Sequence, residues 1–197
     1  MQLVFATSNK NKIKEASLLI SPQITILNLS EIGCNEIIPE TTNSIEGNAL
    51  QKATYVFEKY GYNCFSDDTG LEIEALNGKP GVFSARYAGE NNNAAANMQK
   101  VLTEMDEIKN RKARFKTAIA LIMNGKKIVF EGIVTGSIIR EKRGNNGFGY
   151  DPIFIPDGFD KTFAEMDLNE KNLLSHRGKP FKKLMNYLNE YAHPASK

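Results

Sequence analysis

Four short segments of this chain combine residue types that can do chemistry. The first, Ser66-Asp67-Asp68-Thr69-Gly70, sets two acids side by side. Adjacent carboxylates repel unless cations sit near them, and successive residues of an extended chain point to opposite faces. One acid can therefore face a site while the other braces the backbone. Oxygen-only donors suit a hard ion such as Mg²⁺, held by one or two carboxylates together with substrate phosphates and water. Read alone, the segment is equally an Asp-rich turn at a strand end. The second segment, Thr7-Ser8-Asn9-Lys10-Asn11-Lys12, follows an apolar run and precedes a helical pattern. A helix N-terminus has unpaired N–H groups and a partial positive charge, so it attracts phosphate. Hydroxyl and amide side chains add donors there, and Lys12 adds a full charge; an ordinary helix cap with solvated lysines reads the same way.

The third segment runs from Gly144 to Pro152 and carries Gly147, Phe148, Gly149, Tyr150 and Asp151. Phe148 and Tyr150 offer a stacking face for a base, and the glycines allow a ligand close to the backbone. The plain alternative is a flexible hairpin end. The fourth is Ser175-His176-Arg177-Gly178, whose imidazole and guanidinium suit a carbonyl or a phosphate; the plain alternative is capping of the next helix. His193, the other of the 2 histidines, falls in the C-terminal tail. Glu40, Lys52 and Lys171 carry no signal by themselves.

Among the elements that must position these segments, Leu3 to Ala6 reads as a strand. Ile13, Ala16, Leu19 and Ile20 recur at helical spacing behind it, giving a strand, polar turn and helix. Ile24 to Leu29 predicts a second strand. Asn43 with Glu46 predicts a reciprocal cap ahead of a helix striped by Ala49, Leu50, Ala53, Val56, Phe57 and Tyr60, which Gly61 closes. Cys64-Phe65 reads as a strand end and Leu71 to Leu76 as a separate strand. The Asn-rich turn at Asn91 to Asn93 precedes a helix marked by Met98, Val101, Leu102 and Met105. Asn124-Gly125 between Ala113–Met123 and Lys127–Ile139 predicts a hairpin with a type I′ turn. Arg140 to Gly149 reads as a loop, and Pro180 as the start of a last helix carrying Phe181, Leu184, Met185, Leu188 and Tyr191. The class is α/β with a mixed sheet.

The 197 residues suit one domain, with apolar residues at 41% and charged residues at 24%, which excludes disordered and fibrous classes. The formal charge of +2 is too even for a generic nucleic-acid or membrane-surface binder. Lys109 to Lys116, where basic residues alternate with apolar ones, reads as the wet face of a strand. No apolar run approaches a bilayer span, and the first residues lack the pattern of a secretory signal. Cys34 and Cys64 have no metal-type spacing and read as unpaired, partly buried thiols of a cytoplasmic protein.

Taken together, seven segments resemble the inosine triphosphate pyrophosphatase family, which clears non-standard purine nucleoside triphosphates. They are Thr7–Lys12, Pro39–Thr41, Gly47–Ala53, Ser66–Leu71, Pro80–Tyr87, Gly147–Pro152 and Ser175–Gly178. Each is weak alone; all of them in this order make a specific signal over nearly the whole chain.

The resemblance implies a mixed central β-sheet flanked by helices in a single domain over residues 1–197, with two lobes, a cleft between them and a homodimer. It implies Mg²⁺-dependent hydrolysis of ITP, dITP or XTP to the monophosphate and pyrophosphate, with no nucleic acid or membrane as partner. The family's phosphate-binding residues fall on Thr7, Asn9 and Lys12, with Ser8, Lys10 and Asn11 beside them, and on Lys52 and Lys171. Its metal-binding glutamate falls on Glu40 and its catalytic, metal-binding aspartate on Asp68, next to Thr69 on the substrate side. Base recognition falls on Phe148, Gly149, Tyr150, Asp151, His176 and Arg177. Asp67 is expected to brace the site, and Arg86 either to reach the ligand or to brace Asp67.

Two positions depart from the family's habit: Ser8 stands where glycine is frequent, and Gly47 replaces a common acid. The expected reaction has Asp68 orient or deprotonate a water that attacks the α-phosphorus. A purine carbonyl at ring position six would meet donors from His176 and Arg177, which adenine's amino group would leave unpaired. A Maf-type nucleotide pyrophosphatase and a non-catalytic purine nucleotide sensor are the rival readings. The Ser8-Asn9-Lys10-Asn11-Lys12 turn and the His176-Arg177 pair speak against the first, and the full set of acids and lysines against the second.

Overall fold

The computed structural model describes residues 1–89 and 92–192 of the chain. Asn91 of the expected Asn-rich turn, and His193, lie outside the described residues. Strand β1 (Gln2–Phe5) leads through Thr7–Asn9 into helix α1 (Lys10–Ser17). Strand β2 (Thr25–Leu27) is shorter than the Ile24–Leu29 pattern, because Leu29 turns into a 3₁₀ helix whose cap is Asn28. Helix α2 (Ile45–Tyr60) is capped by Ser44, whose side chain accepts from the Gly47 N–H, so the cap lies one residue after the expected Asn43. Gly61 ends that helix in the left-handed region at φ 73°, as expected.

Strand β3 (Cys64–Ile73) is continuous. The strand end at Cys64-Phe65 and the separate strand at Leu71 to Leu76 are therefore corrected to a single strand ending at Ile73. The paired aspartates sit inside it and not at a turn. Helix α3 (Ala94–Glu104) starts at the cap Asn93. Strands β4 (Lys112–Met123) and β5 (Lys126–Ile138) form the expected hairpin, with Asn124 at φ 50° and Gly125 at φ 79°, as a type I′ turn demands. A short strand β6 (Phe154–Pro156) pairs antiparallel with β5. Helices α4 (Leu168–Leu174) and α5 (Gly178–Ala192) complete the order, with α5 beginning two residues before Pro180. The sheet runs β2-β1-β3-β4-β5-β6, with β1 parallel to β2 and β3. This is a mixed α/β fold.

The chain divides into two compact units. The first comprises Met1–Asp68, Thr117–Gly132 and the described part of Arg177–Lys197. Its core joins Leu3, Phe5, Ala16, Phe65, Leu121, Phe181 and Leu184. Phe5 and Phe65 stack at 4.5 Å, and Phe181 meets them edge-on at 6.3 and 5.8 Å. Each such buried side chain contributes roughly 1.5–3 kcal/mol against exposure, enough to hold β3 firmly against α1 and α5. The opposite side of β3 faces α2: Cys64 Sγ donates to the Ala53 carbonyl at 3.2 Å, and Ser66 Oγ to the Ala49 carbonyl. Burial pushes the Cys64 thiol up to about 12. Both cysteines are free and buried, more deeply than the sequence suggested.

The second unit comprises Thr69–Lys116 and Ile133–His176. Leu71, Ile73, Val101, Met105, Phe115, Phe154, Phe163 and Met166 build its core. Among the described residues, no helix is long and apolar enough to cross a membrane.

Candidate active site

In the first unit, alternation along β3 sends its two aspartates to different helices. Asp67, fully buried, lies on the side of α1. Lys12 Nζ is 3.0 Å from its Oδ1, and Arg177 Nε is 3.1 Å from its Oδ2. Burial works against this carboxylate, but Lys12 and Arg177 outweigh it and hold its pKa at about 2. Arg177, also fully buried, donates its Nη1 to Glu15 of α1. Buried Glu15, Arg177 and Asp67, with half-buried Lys12, thus form one chain of charges, two of each sign, which is the condition for burying them without a large penalty.

Asp68 lies on the side of α2. Asn48 Nδ2 donates to its Oδ2 at 3.3 Å, and Lys52 Nζ is 3.8 Å from its Oδ1. The same Lys52 ammonium donates to Glu40. Burial raises the Asp68 carboxyl above its ordinary value; Lys52 and Lys12 pull it down, while Glu40 and Asp67 push it up. For Lys52, desolvation is outweighed by Asp68 and Glu40, so its ammonium titrates higher than usual. Glu40 and Asp68 therefore converge on a single positive charge. That donor set fits a hard divalent ion completed by phosphate oxygens and water, although no cluster of three or more metal-type side chains occurs among the described residues.

The α1 terminus fits a phosphate less generously than its sequence suggested. The Asn9 side chain accepts from the N–H groups of Asn11 and Lys12 at 2.9 and 3.3 Å, so its oxygen serves its own helix. Thr7 Oγ1 likewise accepts from the Asn9 N–H at 3.2 Å. Ser8, Lys10 and Asn11 are exposed, and Lys12 faces the site while engaged with Asp67. Gly47 is explained by space. A Cβ there would meet Thr42 Oγ1 at 2.4 Å, so only glycine lets residue 42 pack on the first turn of α2.

In the second unit, Asp151 and Lys171 form a buried ion pair at 2.6 Å. Asp151 Oδ2 also accepts from the Phe148 N–H at 2.8 Å, folding the glycine-rich segment back on itself. Gly147 permits this at φ +72°, since a Cβ there would stand 2.1 Å from Asp151 Oδ2. Lys171 Nζ lies 5.2 Å from the Phe148 ring centre. Gly149 also takes a positive φ, 63°, and Thr69, half-buried, opens this unit's part of β3. His176 is buried and stacks on Phe115 at 4.3 Å and 15°.

One expectation is corrected. Tyr150 is not held out as a stacking face: its ring lies in the core and its hydroxyl donates to the Ser84 carbonyl at 2.8 Å. Arg177, expected beside His176 at the base, engages Asp67 and Glu15 in the first unit. The Arg86 guanidinium lies over the Phe83 ring at 5.3 Å. Glu15 and Asn48 were missed. Glu15 follows Lys12 by three residues, which on a helix places both on one face and was the available signal. Asn48 precedes Lys52 by four residues, which places both on one face of α2 and was the other.

A model of the Ham1 family matches residues 3–187. The chain belongs to the Ham1 family. Ham1 proteins of known structure have the same fold. That of Staphylococcus aureus superposes with a TM-score of 0.89 at 35% identity, covering 97% of this chain and 100% of the other. That of Coxiella burnetii gives 0.89 at 39% identity, covering 96% and 99%. In sequence, this Ham1 chain is 59% identical over 95% of its length to 98% of a protein of Flavobacterium psychrophilum named dITP/XTP pyrophosphatase. It is 50% identical over 95% of its length to 97% of one of Porphyromonas gingivalis with the same name.

Proposed function

We propose that this chain is a nucleoside triphosphate pyrophosphatase that hydrolyses dITP, ITP or XTP to the monophosphate and pyrophosphate, with Mg²⁺ as its cofactor. The observation that carries the reading is the convergence of Glu40 and Asp68 on Lys52, in a chain so similar to proteins named for this activity. The second carboxylate, Asp67, is locked by Lys12 and Arg177, which leaves Asp68 as the acid open to chemistry.

In the proposed reaction Lys12 and Lys52, with the positive end of α1, attract the polyphosphate of the substrate. Glu40 and Asp68 would hold Mg²⁺, which when bound neutralises phosphate charge and polarises the phosphoryl oxygens. Asp68 orients a water towards the α-phosphorus and takes its proton at a carboxylate oxygen. Its raised pKa, a consequence of burial, makes it a stronger base than an exposed aspartate. Asn48 fixes the carboxylate's orientation through Oδ2. The network through Glu15 and Arg177 keeps Asp67 ionised and Lys12 in place. With little covalent work to do, positioning and electrostatics lower the barrier.

Within the second unit taken by itself, the family resemblance supports Phe148 as a stacking face, Lys171, paired with Asp151, as a phosphate lysine, and His176 as a donor to a six-keto oxygen. Adenine's amino group would leave that donor unpaired, at a cost of about 1–3 kcal/mol. The same reading includes a homodimer in the cytoplasm, where two buried thiols stay reduced; the family resemblance supports the first and the free cysteines the second.

The test is product analysis with ITP. Equal amounts of IMP and pyrophosphate, formed with Mg²⁺ and not with a chelator, are expected, with ATP much slower. Release of inorganic phosphate, or tight ITP binding without turnover, would overturn the reading. Preferential turnover of dTTP or UTP would favour the Maf-type activity instead.

A further inference from the structure

The segment that carries Glu40 has little apolar anchorage, and its Ile37 is 95% exposed. It is held instead by a row of polar side chains along one face of α2. Thr42 N–H donates to Asn48 Oδ1 at 3.0 Å, and Thr41 N–H to Gln51 Oε1 at 2.9 Å, with Gln51 Nε2 returning a bond to Thr41 Oγ1 at 2.9 Å. Lys52 holds Glu40 itself. At the far end, a single oxygen, Glu36 Oε1, accepts from Tyr55 Oη at 2.8 Å, Lys59 Nζ at 2.5 Å and Tyr60 Oη at 2.6 Å. Residues 48, 51, 52, 55 and 59 recur at helical spacing. The segment therefore lies antiparallel along α2, fastened at 42, 41, 40 and 36 in turn.

These fastenings are not equivalent. If Glu40 leaves Lys52 to ligate a metal, the bond at 40 is given up when the carboxylate must hold still. Position then depends on Thr41 and Thr42 on one side and on Glu36 on the other. From this geometry we infer that Glu36, clasped by Tyr55, Lys59 and Tyr60, is a positioning residue that sets Glu40 for metal binding. The inference rests on the proposed metal role of Glu40. The clasp holds across the working pH range, because Lys59 and the two phenols keep the Glu36 carboxyl well below the usual carboxylate range. The clasp is remote from the site and lies on the surface of the first unit, so it acts through the backbone between 36 and 40 alone.

The experiment uses the full chain with Glu36→Ala, Glu36→Gln, Lys59→Met and, as reference, Glu40→Gln. Mn²⁺ alone is titrated and the bound ion read by electron paramagnetic resonance. Amide exchange at Thr41 and Thr42, thermal midpoint and turnover of ITP at saturating Mg²⁺ are measured beside it. Glu36→Ala and Lys59→Met are expected to weaken Mn²⁺ binding about three- to tenfold, the loss of one charge-assisted clasp. Exchange at Thr41 and Thr42 should quicken, and saturated turnover should stay within about twofold. Glu36→Gln, which keeps an acceptor oxygen, should lie between. Wild-type Mn²⁺ affinity in Glu36→Ala, with Glu40→Gln weakened, would overturn the clasp alone. Wild-type affinity in Glu40→Gln as well would overturn the metal role of Glu40 and the clasp with it. A fall in melting temperature and turnover at unchanged Mn²⁺ affinity would mark Glu36 as merely structural and also overturn the inference.

Discussion

Asp67 and Asp68 are consecutive in β3 and face different helices. Asp67 meets Lys12 of α1 at 3.0 Å, and Asp68 meets Lys52 of α2 at 3.8 Å. Asp67 also holds Arg177 at 3.1 Å, while Asp68 accepts one amide bond from Asn48 at 3.3 Å. One carboxylate is saturated with cations and the other is not, and the two respond differently to mutation and to pH.

Asp68→Asn is expected to fold and to lose at least about 100-fold in ITP turnover, the typical contribution of a positioned base. Because burial raises the folded pKa of Asp68, its charge opposes folding at neutral pH. The stabilising effect of the raised pKa is present below the unfolded value and is lost as pH rises through the folded one. Asp68→Asn should therefore melt no lower than the parent at pH 7, with Lys52 still paired to Glu40. Turnover near the parent's would remove Asp68 from the mechanism.

Asp67→Asn acts on stability. Removing one carboxylate leaves buried Arg177 and its neighbour Lys12 with one acid fewer, and breaking a buried pair in this way costs about 3–5 kcal/mol. With a pKa of about 2 against an ordinary 3.8, the Asp67 contribution is fully present above the ordinary value and is lost as pH falls towards 2. Denaturant midpoints of parent and variant should therefore differ most near neutrality and converge in acid. A pH-independent difference would contradict the assignment.

The acid limb of kcat/KM for ITP should lie above the ordinary carboxylate range at low Mg²⁺, since protonation of the raised Asp68 carboxyl removes the base. Saturating Mg²⁺, by adding positive charge beside it, should move that limb to lower pH. Profiles collected at two metal concentrations check this; a limb that stays still would separate Asp68 from the ion.

His176→Ala should narrow the preference for ITP over ATP in competition by about tenfold or more, the effect of losing one buried donor. Because the ring also stacks on Phe115 at 4.3 Å, the melting temperature should fall as well. An unchanged preference despite lower stability would confine His176 to packing.

Much of this protein is legible in its sequence, wherever the deciding interactions are local. The β1 turn into α1, the stripe and glycine end of α2, and the Asn124-Gly125 hairpin depend on neighbours within a few residues, and periodicity and turn chemistry report such neighbours directly. The motifs also indicated the acids and lysines of the candidate site, and the family to which the chain belongs. Local pattern misplaced the cap of α2 by one residue and split β3 in two, because the polar run from Ser66 to Gly70 resembles a turn when its burial is unknown. Partner choice was beyond it altogether. Arg177 reaches Asp67 across 110 positions and Glu15 across 162. Nothing in the Ser175–Gly178 motif says that its arginine turns into a buried charge network while its histidine stacks on a phenylalanine. Which aspartate is locked and which is open follows from which helix packs on which side of β3, a property of the folded chain alone.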